Sequence, residues 1–171
     1  MIKYVIDFQG FSHNRSYILK ELTITDLDAQ NVLHFMAKPP FDKDILSDVE
    51  KNNVLWLENH HHKIKWEDGV FEYSEVFANL REAIRNADIL FVKGGEKCQF
   101  IRQVTGKTTI DLNDLDCPRA CALPTPLLWS TLCCSYYAHS SLETPCSLLQ
   151  ALKFNEWLNT LFQQNIVRDD L

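Results

Sequence analysis

The chain is poor in glycine and methionine, with five and two among 171 residues, and has no long apolar run and no basic excess. Scarce glycine, without repeats or low-complexity tracts, excludes collagen-like and linker-like organisation. No stretch approaches the roughly 18 apolar residues of a membrane-spanning helix. Lys and Arg number 17 against 23 Asp and Glu, a net charge of −6. That argues against a broad electrostatic grip on duplex DNA and leaves room only for a local basic groove. The lysines, such as Lys63, Lys65, Lys93 and Lys97, are scattered. Asp7 interrupts the opening apolar segment and no small-residue cleavage site follows, so a cytoplasmic or nuclear protein is expected. In that setting the six cysteines read as reduced thiols or a metal site rather than disulfides.

The length and 46% hydrophobic content suit one soluble domain spanning residues 1–171. Three strands are predicted over residues 3–8, 17–24 and 31–38, the last stopped by Pro39-Pro40, with a hairpin turn over residues 10–14. Ser47-x-x-Glu50 is a capping box, and its helix is expected to turn Val49, Trp56 and Leu57 towards the core. A second helix opens near Ser74 with Val76, Phe77, Leu80, Ile84 and Ala87 on one face. The continuous apolar run Ile89-Leu-Phe-Val reads as a strand buried on both faces. A short helix over residues 96–104 and a strand over residues 108–112 follow. Residues 114–145 are irregular, and a final helix runs over residues 147–164. The order β-β-β-α-α-β-α-β-α predicts an α/β fold of RNase H-like type: three antiparallel strands, then two parallel ones, with helices on both faces.

This layout resembles the DEDD-type 3′–5′ exonucleases over nearly the whole chain. In that family four acids hold two divalent ions about 4 Å apart. The first strand there carries Asp-x-Glu; here it reads Asp7-Phe8-Gln9. The segment after the fourth strand reads Lys93-Gly-Gly-Glu-Lys97-Cys-Gln-Phe100-Ile101, placing the family's Asp on Lys97. The last helix opens Pro145-Cys-Ser-Leu-Leu-Gln150, placing the final Asp on Gln150. One acid of four survives. The remnant positions are Asp7, Gln9, Lys97 and Gln150, and an isolated Asp7 cannot hold two hard cations. Lys97 either neutralises Asp7 or joins Lys93 in contacting nucleic acid in the old groove.

Cys134-x4-His139-x6-Cys146 offers thiolate and imidazole, the preferred ligands of Zn²⁺, and a closed tetrahedral site needs a fourth ligand. Glu96, opening the helix after the fourth strand, is the candidate; Cys133 or Cys117 could substitute for Cys134. Cys98 and Cys121 are expected to fill core space. His60-His61-His62 is read as a helix end, since three successive residues cannot chelate as a set. A papain-like pairing of His139 with Cys134 or Cys146 lacks a nucleophile elbow and an orienting third group.

A cysteine–histidine site on a nuclease-like fold resembles the Maelstrom domain of the piRNA pathway, with residues 4–157 covered. That family lacks the exonuclease acids and carries a Glu-Cys-His-Cys zinc site, which the matching motifs would place on Glu96, Cys134, His139 and Cys146. The family spacing is Cys-x-x-His; here Tyr136 stands where that His would fall. The resemblance implies a catalytically degenerate domain with structural zinc, binding single-stranded RNA or a silencing-pathway protein. The rivals are a metal-independent single-stranded RNA endonuclease and a zinc-stapled protein-interaction module. Trp129, Tyr136 and Tyr137 would suit base stacking or a protein interface.

Overall fold

A computed structural model describes residues 1–132, 134, 136, 139 and 142–169, with the side chains of the last helix described through Gln164. The chain opens with two eleven-residue strands, β1 (Lys3–His13) and β2 (Ser16–Asp26), followed by β3 (Val32–Met36). Then come α1 (Asp48–His60), α2 (Tyr73–Ala83), β4 (Ile89–Val92), α3 (Gly95–Thr105), β5 (Thr109–Asp111) and α4 (Ser147–Asp169). The sheet order is β3-β2-β1-β4-β5. β1 pairs antiparallel with β2 and β2 with β3, while β4 lies parallel to both β1 and β5. This is the mixed α/β sheet expected of an RNase H-like arrangement.

Alternation along β1 sends its side chains to two differently covered faces. Ile6 and Phe8, with Leu22, Ile24, Leu90 and Val92, pack on Val76 and Leu80 of α2 and on Cys98 and Ile101 of α3. On the opposite face Val5 and Phe91 meet Phe154 and Leu158 of α4. Further along, Phe11 and Ile18 meet Val54 of α1, Leu46 and Trp66. β4, between β1 and β5, is buried on both sides, as its unbroken apolar run requires. Residues 112–130 hold three short 3₁₀ turns, Leu112–Leu115, Ala120–Ala122 and Leu127–Ser130.

Three local expectations are corrected. The β1–β2 turn is not at residues 10–14; it is Asn14-Arg15, both in the left-handed region at φ of 50° and 61°, as a two-residue hairpin turn of the primed type demands. Gly10 instead lies inside β1 at a bulge. Gln9 faces Glu21 and Gly10 faces Leu19, leaving Lys20 as the extra residue. A Cβ on Gly10 would stand 2.1 Å from the Ile18 carbonyl oxygen, so the close approach admits only glycine. Lys20 is buried, and its ammonium donates to the carbonyls of Trp66 (2.8 Å) and Asp68.

Val49 and Trp56 do not reach the core; they are 79% and 54% exposed. The capping box of Ser47 and Glu50 is present, but α1 buries Val54 and Glu58. Glu58 occupies the inner face because it accepts the Trp66 backbone N–H at 2.6 Å and pairs with Lys43 at 3.3 Å. Cys121 does not fill core space but is exposed, whereas Cys98 is buried as expected.

Candidate metal centre

The bulge gives Glu21 its place. Opposite Gln9 in the register, its side chain stands on the α4 side of the sheet, where a strand carboxylate can be buried only if it finds donors. It finds several. Its Oε2 accepts the backbone N–H of Ser147, the first residue of α4, at 2.9 Å, where the helix N-terminus favours negative charge. Its Oε1 lies 2.8 Å from His34 Nε2 on β3 and 3.3 Å from His139 Nδ1. Cys134 Sγ and Cys146 Sγ lie 3.8 and 3.5 Å from the same oxygen. Cys134 Sγ is 3.6 Å from His139 Nδ1. One ligand atom from each of Glu21, Cys134, His139 and Cys146 lies within 4.8 Å of every other.

These separations fit a tetrahedral ion. With Zn–S near 2.3 Å and Zn–N and Zn–O near 2.0–2.2 Å, tetrahedral edges are about 3.6 Å for S···N and S···O and about 3.4 Å for N···O. The observed 3.6, 3.5, 3.8 and 3.3 Å follow that pattern. The orienting partners are also present. His139 Nε2 donates to the His62 carbonyl at 2.7 Å, which turns Nδ1 towards the cluster. Among the described residues Glu21, Cys134, His139 and Cys146 are the group able to hold a metal ion.

Without an ion the cluster balances its own charge. Burial opposes ionisation of Glu21, but hydrogen bonds from His139 and His34, with their charge, overcome it and hold the carboxyl well below its ordinary range. Burial likewise opposes the imidazolium forms, yet hydrogen bonds to Cys134 and Glu21 raise His139 to about 10 and His34 to about 9. The hydrogen bond from Cys146 lowers Cys134 to about 3, against burial and with help from both histidines. The same bond, with burial, drives Cys146 upwards. Metal binding would displace the protons held on His139 and Cys146.

Glu96 is therefore not the carboxylate of this cluster. It opens α3, and its Oε2 accepts the Tyr17 hydroxyl at 3.2 Å; the carboxylate comes from β2 because the first turn of α4 meets β2, not α3. Cys117 is buried elsewhere, bonded to the Pro118 carbonyl at 3.5 Å. Cys133 lies outside the described residues, as does Tyr137. Of the other proposed stacking aromatics, Trp129 packs against the cluster of Cys146, Leu148, Leu149 and Leu152. Tyr136 is drawn inward: its hydroxyl contacts Asp68 and the Lys63 carbonyl, the latter at 3.3 Å. His61 follows the end of α1, while His62 folds back, buried, against the Gly10 carbonyl at 3.1 Å.

The four positions matched to exonuclease acids meet beside the metal cluster. Lys97 Nζ donates to Asp7 Oδ1 at 2.7 Å and to the Phe8 carbonyl at 2.5 Å. Gln9 Nε2 donates to Gln150 Oε1 at 3.3 Å. Asp7 is 1% exposed, and burial raises its carboxyl despite Lys97. Thus the first turns of α4 carry both a metal-site thiol, Cys146 just before the helix, and the amide at Gln150. Lys93 Nζ donates to Asn113 at 2.6 Å and to the Cys117 carbonyl. Both proposed phosphate contacts therefore make internal bonds, although Lys97 still lines a cleft of about 290 Å³ with Gln9, Asn53, His61 and His62.

Fold and site together define an α/β domain with a Glu-Cys-His-Cys cluster of metal-binding geometry. No known family model matches the chain, and no curated protein is significantly similar to it. No helix among the described residues is long and apolar enough to cross a membrane.

Proposed function

We propose that this chain is a zinc-stapled, catalytically degenerate nuclease-like domain that acts by binding single-stranded RNA. One observation carries the reading: where a two-metal nuclease needs four acids, the chain holds an Asp7–Lys97 ion pair and a Gln9–Gln150 amide pair. The ammonium takes the place of a cation, and the amides cannot neutralise one. The metal cluster one strand away is mostly buried and has four protein ligands, the pattern of a structural rather than a catalytic zinc. It would fix the irregular segment before α4 to β2.

RNA is favoured because the cleft beside Lys97 is lined by amides, imidazoles and aromatic rings, with no carboxylate among its lining residues. On an acidic chain such a surface suits strands read by stacking and hydrogen bonding. The resemblance to Maelstrom domains supports a place in transposon or small-RNA silencing, in the cytoplasm or nucleus. A protein-interaction role has one observation of its own: Ile45, Val49, Leu55 and Trp56 are exposed on and just before α1. The test is to titrate fluorescent single-stranded RNA into the zinc-loaded protein and follow its integrity with and without Mg²⁺ or Mn²⁺. Binding without shortening supports the reading. Metal-dependent 3′ shortening lost in Asp7→Ala, or metal-independent cleavage, would overturn the degenerate assignment; no binding at low salt would favour the protein-interaction role.

A further inference from the structure

Beside the β1–β2 turn lies a second cavity, of about 390 Å³, lined by Ser12, Arg15, Ser16, Tyr17, Glu96, Gln99, Phe100 and Gln103. It adjoins the cleft at Lys97, sharing Ser12 and Tyr17 with it. Nothing in the degenerate active site or the metal centre uses it.

Most of its polar groups are uncommitted. Arg15, Ser12, Ser16, Gln99 and Gln103 make no side-chain hydrogen bond or ion pair among the described residues. The one internal bond is Tyr17 to Glu96. Arg15 stands at the turn position where φ is 61°, a conformation natural to glycine. Gln99 and Gln103 stand four residues apart on α3 and so share one face. Phe100 forms an apolar floor, its ring 5.6 Å from that of Tyr17 at 70°.

Each feature asks something different of a ligand. The guanidinium needs an anion, and its planar donors match phosphate oxygens. The Glu96 carboxylate, already fixed by Tyr17, needs donors such as vicinal hydroxyls or an exocyclic amine. Two carboxamides supply donor and acceptor together, as the edge of a base requires. The apolar floor at Phe100 favours a ligand with a ring to set against it over a purely ionic one. The volume lies within the range of small-molecule sites. An inorganic anion would satisfy Arg15 alone and be opposed by Glu96. We infer that this cavity binds a phosphorylated ribonucleoside, with phosphate on Arg15, hydroxyl or amine on Glu96 and base edge on Gln99 and Gln103. The ligand is either a free mononucleotide or the terminal nucleotide of a strand lying along the adjoining cleft; in the second case the inference rests on the RNA-binding reading.

The test is calorimetric titration of the zinc-loaded protein with each of the four ribonucleoside 5′-monophosphates, with inorganic phosphate, and with oligoribonucleotides bearing a 5′-phosphate or a 5′-hydroxyl. The variants are Arg15→Gly, which suits the turn and so keeps the fold, and Gln99→Ala with Gln103→Ala. The expected result is saturable binding of at least one mononucleotide, weakened tenfold or more in both variants while their melting temperatures stay at or above wild type for Arg15→Gly and near it for the glutamine pair. If only the 5′-phosphorylated strand binds in this Arg15-dependent way, the ligand is a strand end, and the inference stands. Phosphate binding as tightly as every nucleotide, mononucleotide binding indifferent to both variants, or no Arg15-dependent binding by any probe would overturn it. RNA binding that survives all the variants, with no mononucleotide or strand end bound in an Arg15-dependent way, would overturn this inference and leave the RNA-binding reading intact.

Discussion

Removing the ammonium of Lys97 should expose the cost of the carboxylate it neutralises. In Lys97→Met the aliphatic stem is kept, but Asp7 remains 1% exposed, and its Oδ2 already has no hydrogen-bond partner among the described residues. Breaking a buried pair on one side typically costs about 3–5 kcal/mol. Protonation sets a ceiling. An unfolded carboxyl with the ordinary value of 3.8 can be held neutral at pH 7 for about 1.36 × 3.2, or about 4 kcal/mol, and at pH 5 for about 1.6 kcal/mol. Because burial already raises Asp7 in the wild type, the observed loss should sit at the low end of the range for a broken buried pair, about 3 kcal/mol, at pH 7 and be smaller at pH 5. The sign is definite: a carboxyl whose folded value lies above its unfolded one loses stability as pH rises between them, so the deficit of Lys97→Met widens towards neutrality. Asp7→Asn should cost less than about 1 kcal/mol, since Lys97 keeps the Phe8 carbonyl. On that background Lys97→Met should cost only the lost hydrogen bond, about 1 kcal/mol. Urea denaturation of the four proteins at pH 5 and pH 7 gives the coupling, expected at about 2 kcal/mol at neutrality. A pH-independent loss, or a coupling near zero, would refute the reasoning.

Gly10→Ala should destabilise by more than about 3 kcal/mol in chemical denaturation, because its Cβ meets the Ile18 carbonyl in the bulge; it should also weaken metal binding, since that bulge sets Glu21. Glu50 is held down to about 2 by the backbone N–H and hydroxyl of Ser47; a depressed carboxyl contributes stability above its unfolded value that is lost as pH falls from about 4.5 towards 2. Hydrogen-exchange protection at the start of α1, taken relative to the intrinsic amide rate at each pH, should therefore fall over that interval in the wild type and be nearly flat in Glu50→Gln. Thiol alkylation of the zinc-loaded protein should label the exposed Cys121 first, whereas burial pushes Cys98 and Cys117 up to about 11 and keeps both slow; mass mapping in which Cys98 reacts as fast as Cys121 would contradict the packing.

The strand order was legible because the patterns that specify it are local. Aromatic and β-branched residues marked β1, alternation marked β2, an unbroken apolar run marked β4, and the paired prolines closed β3. The three members of the candidate metal cluster that are close in sequence, Cys134, His139 and Cys146, were legible from residue chemistry alone. Glu21 was not, because in Tyr17-x-Leu19-x-Glu21-x-Thr23 an acid in an alternating strand reads as a solvent face. Its burial comes from α4, more than a hundred residues away, whose first N–H groups and cysteine cover it. The available signal was its register opposite Gln9 on the face matched to the nuclease site, but the bulge at Gly10 hid that register. The same glycine looked like a turn, because close backbone approach and positive φ leave the same residue in a sequence. Val49 and Trp56 misled for a different reason: beside Val54 and Leu57 the inner face of α1 carries Glu58, held there by polar contacts that hydrophobic periodicity does not register.

The central claim is that Glu21, Cys134, His139 and Cys146 hold a structural metal. The most direct measurement is elemental analysis by mass spectrometry of protein purified without added metal, on wild type, Glu21→Gln, Cys146→Ser and Glu96→Gln, each paired with its melting temperature. About one zinc per chain is expected in the wild type and in Glu96→Gln, with loss of metal and strong destabilisation in the other two, because the binding energy of a structural zinc is folding energy. A wild-type protein that is folded and stable without metal, or a Glu21→Gln protein that keeps its zinc while Glu96→Gln loses it, would contradict the account.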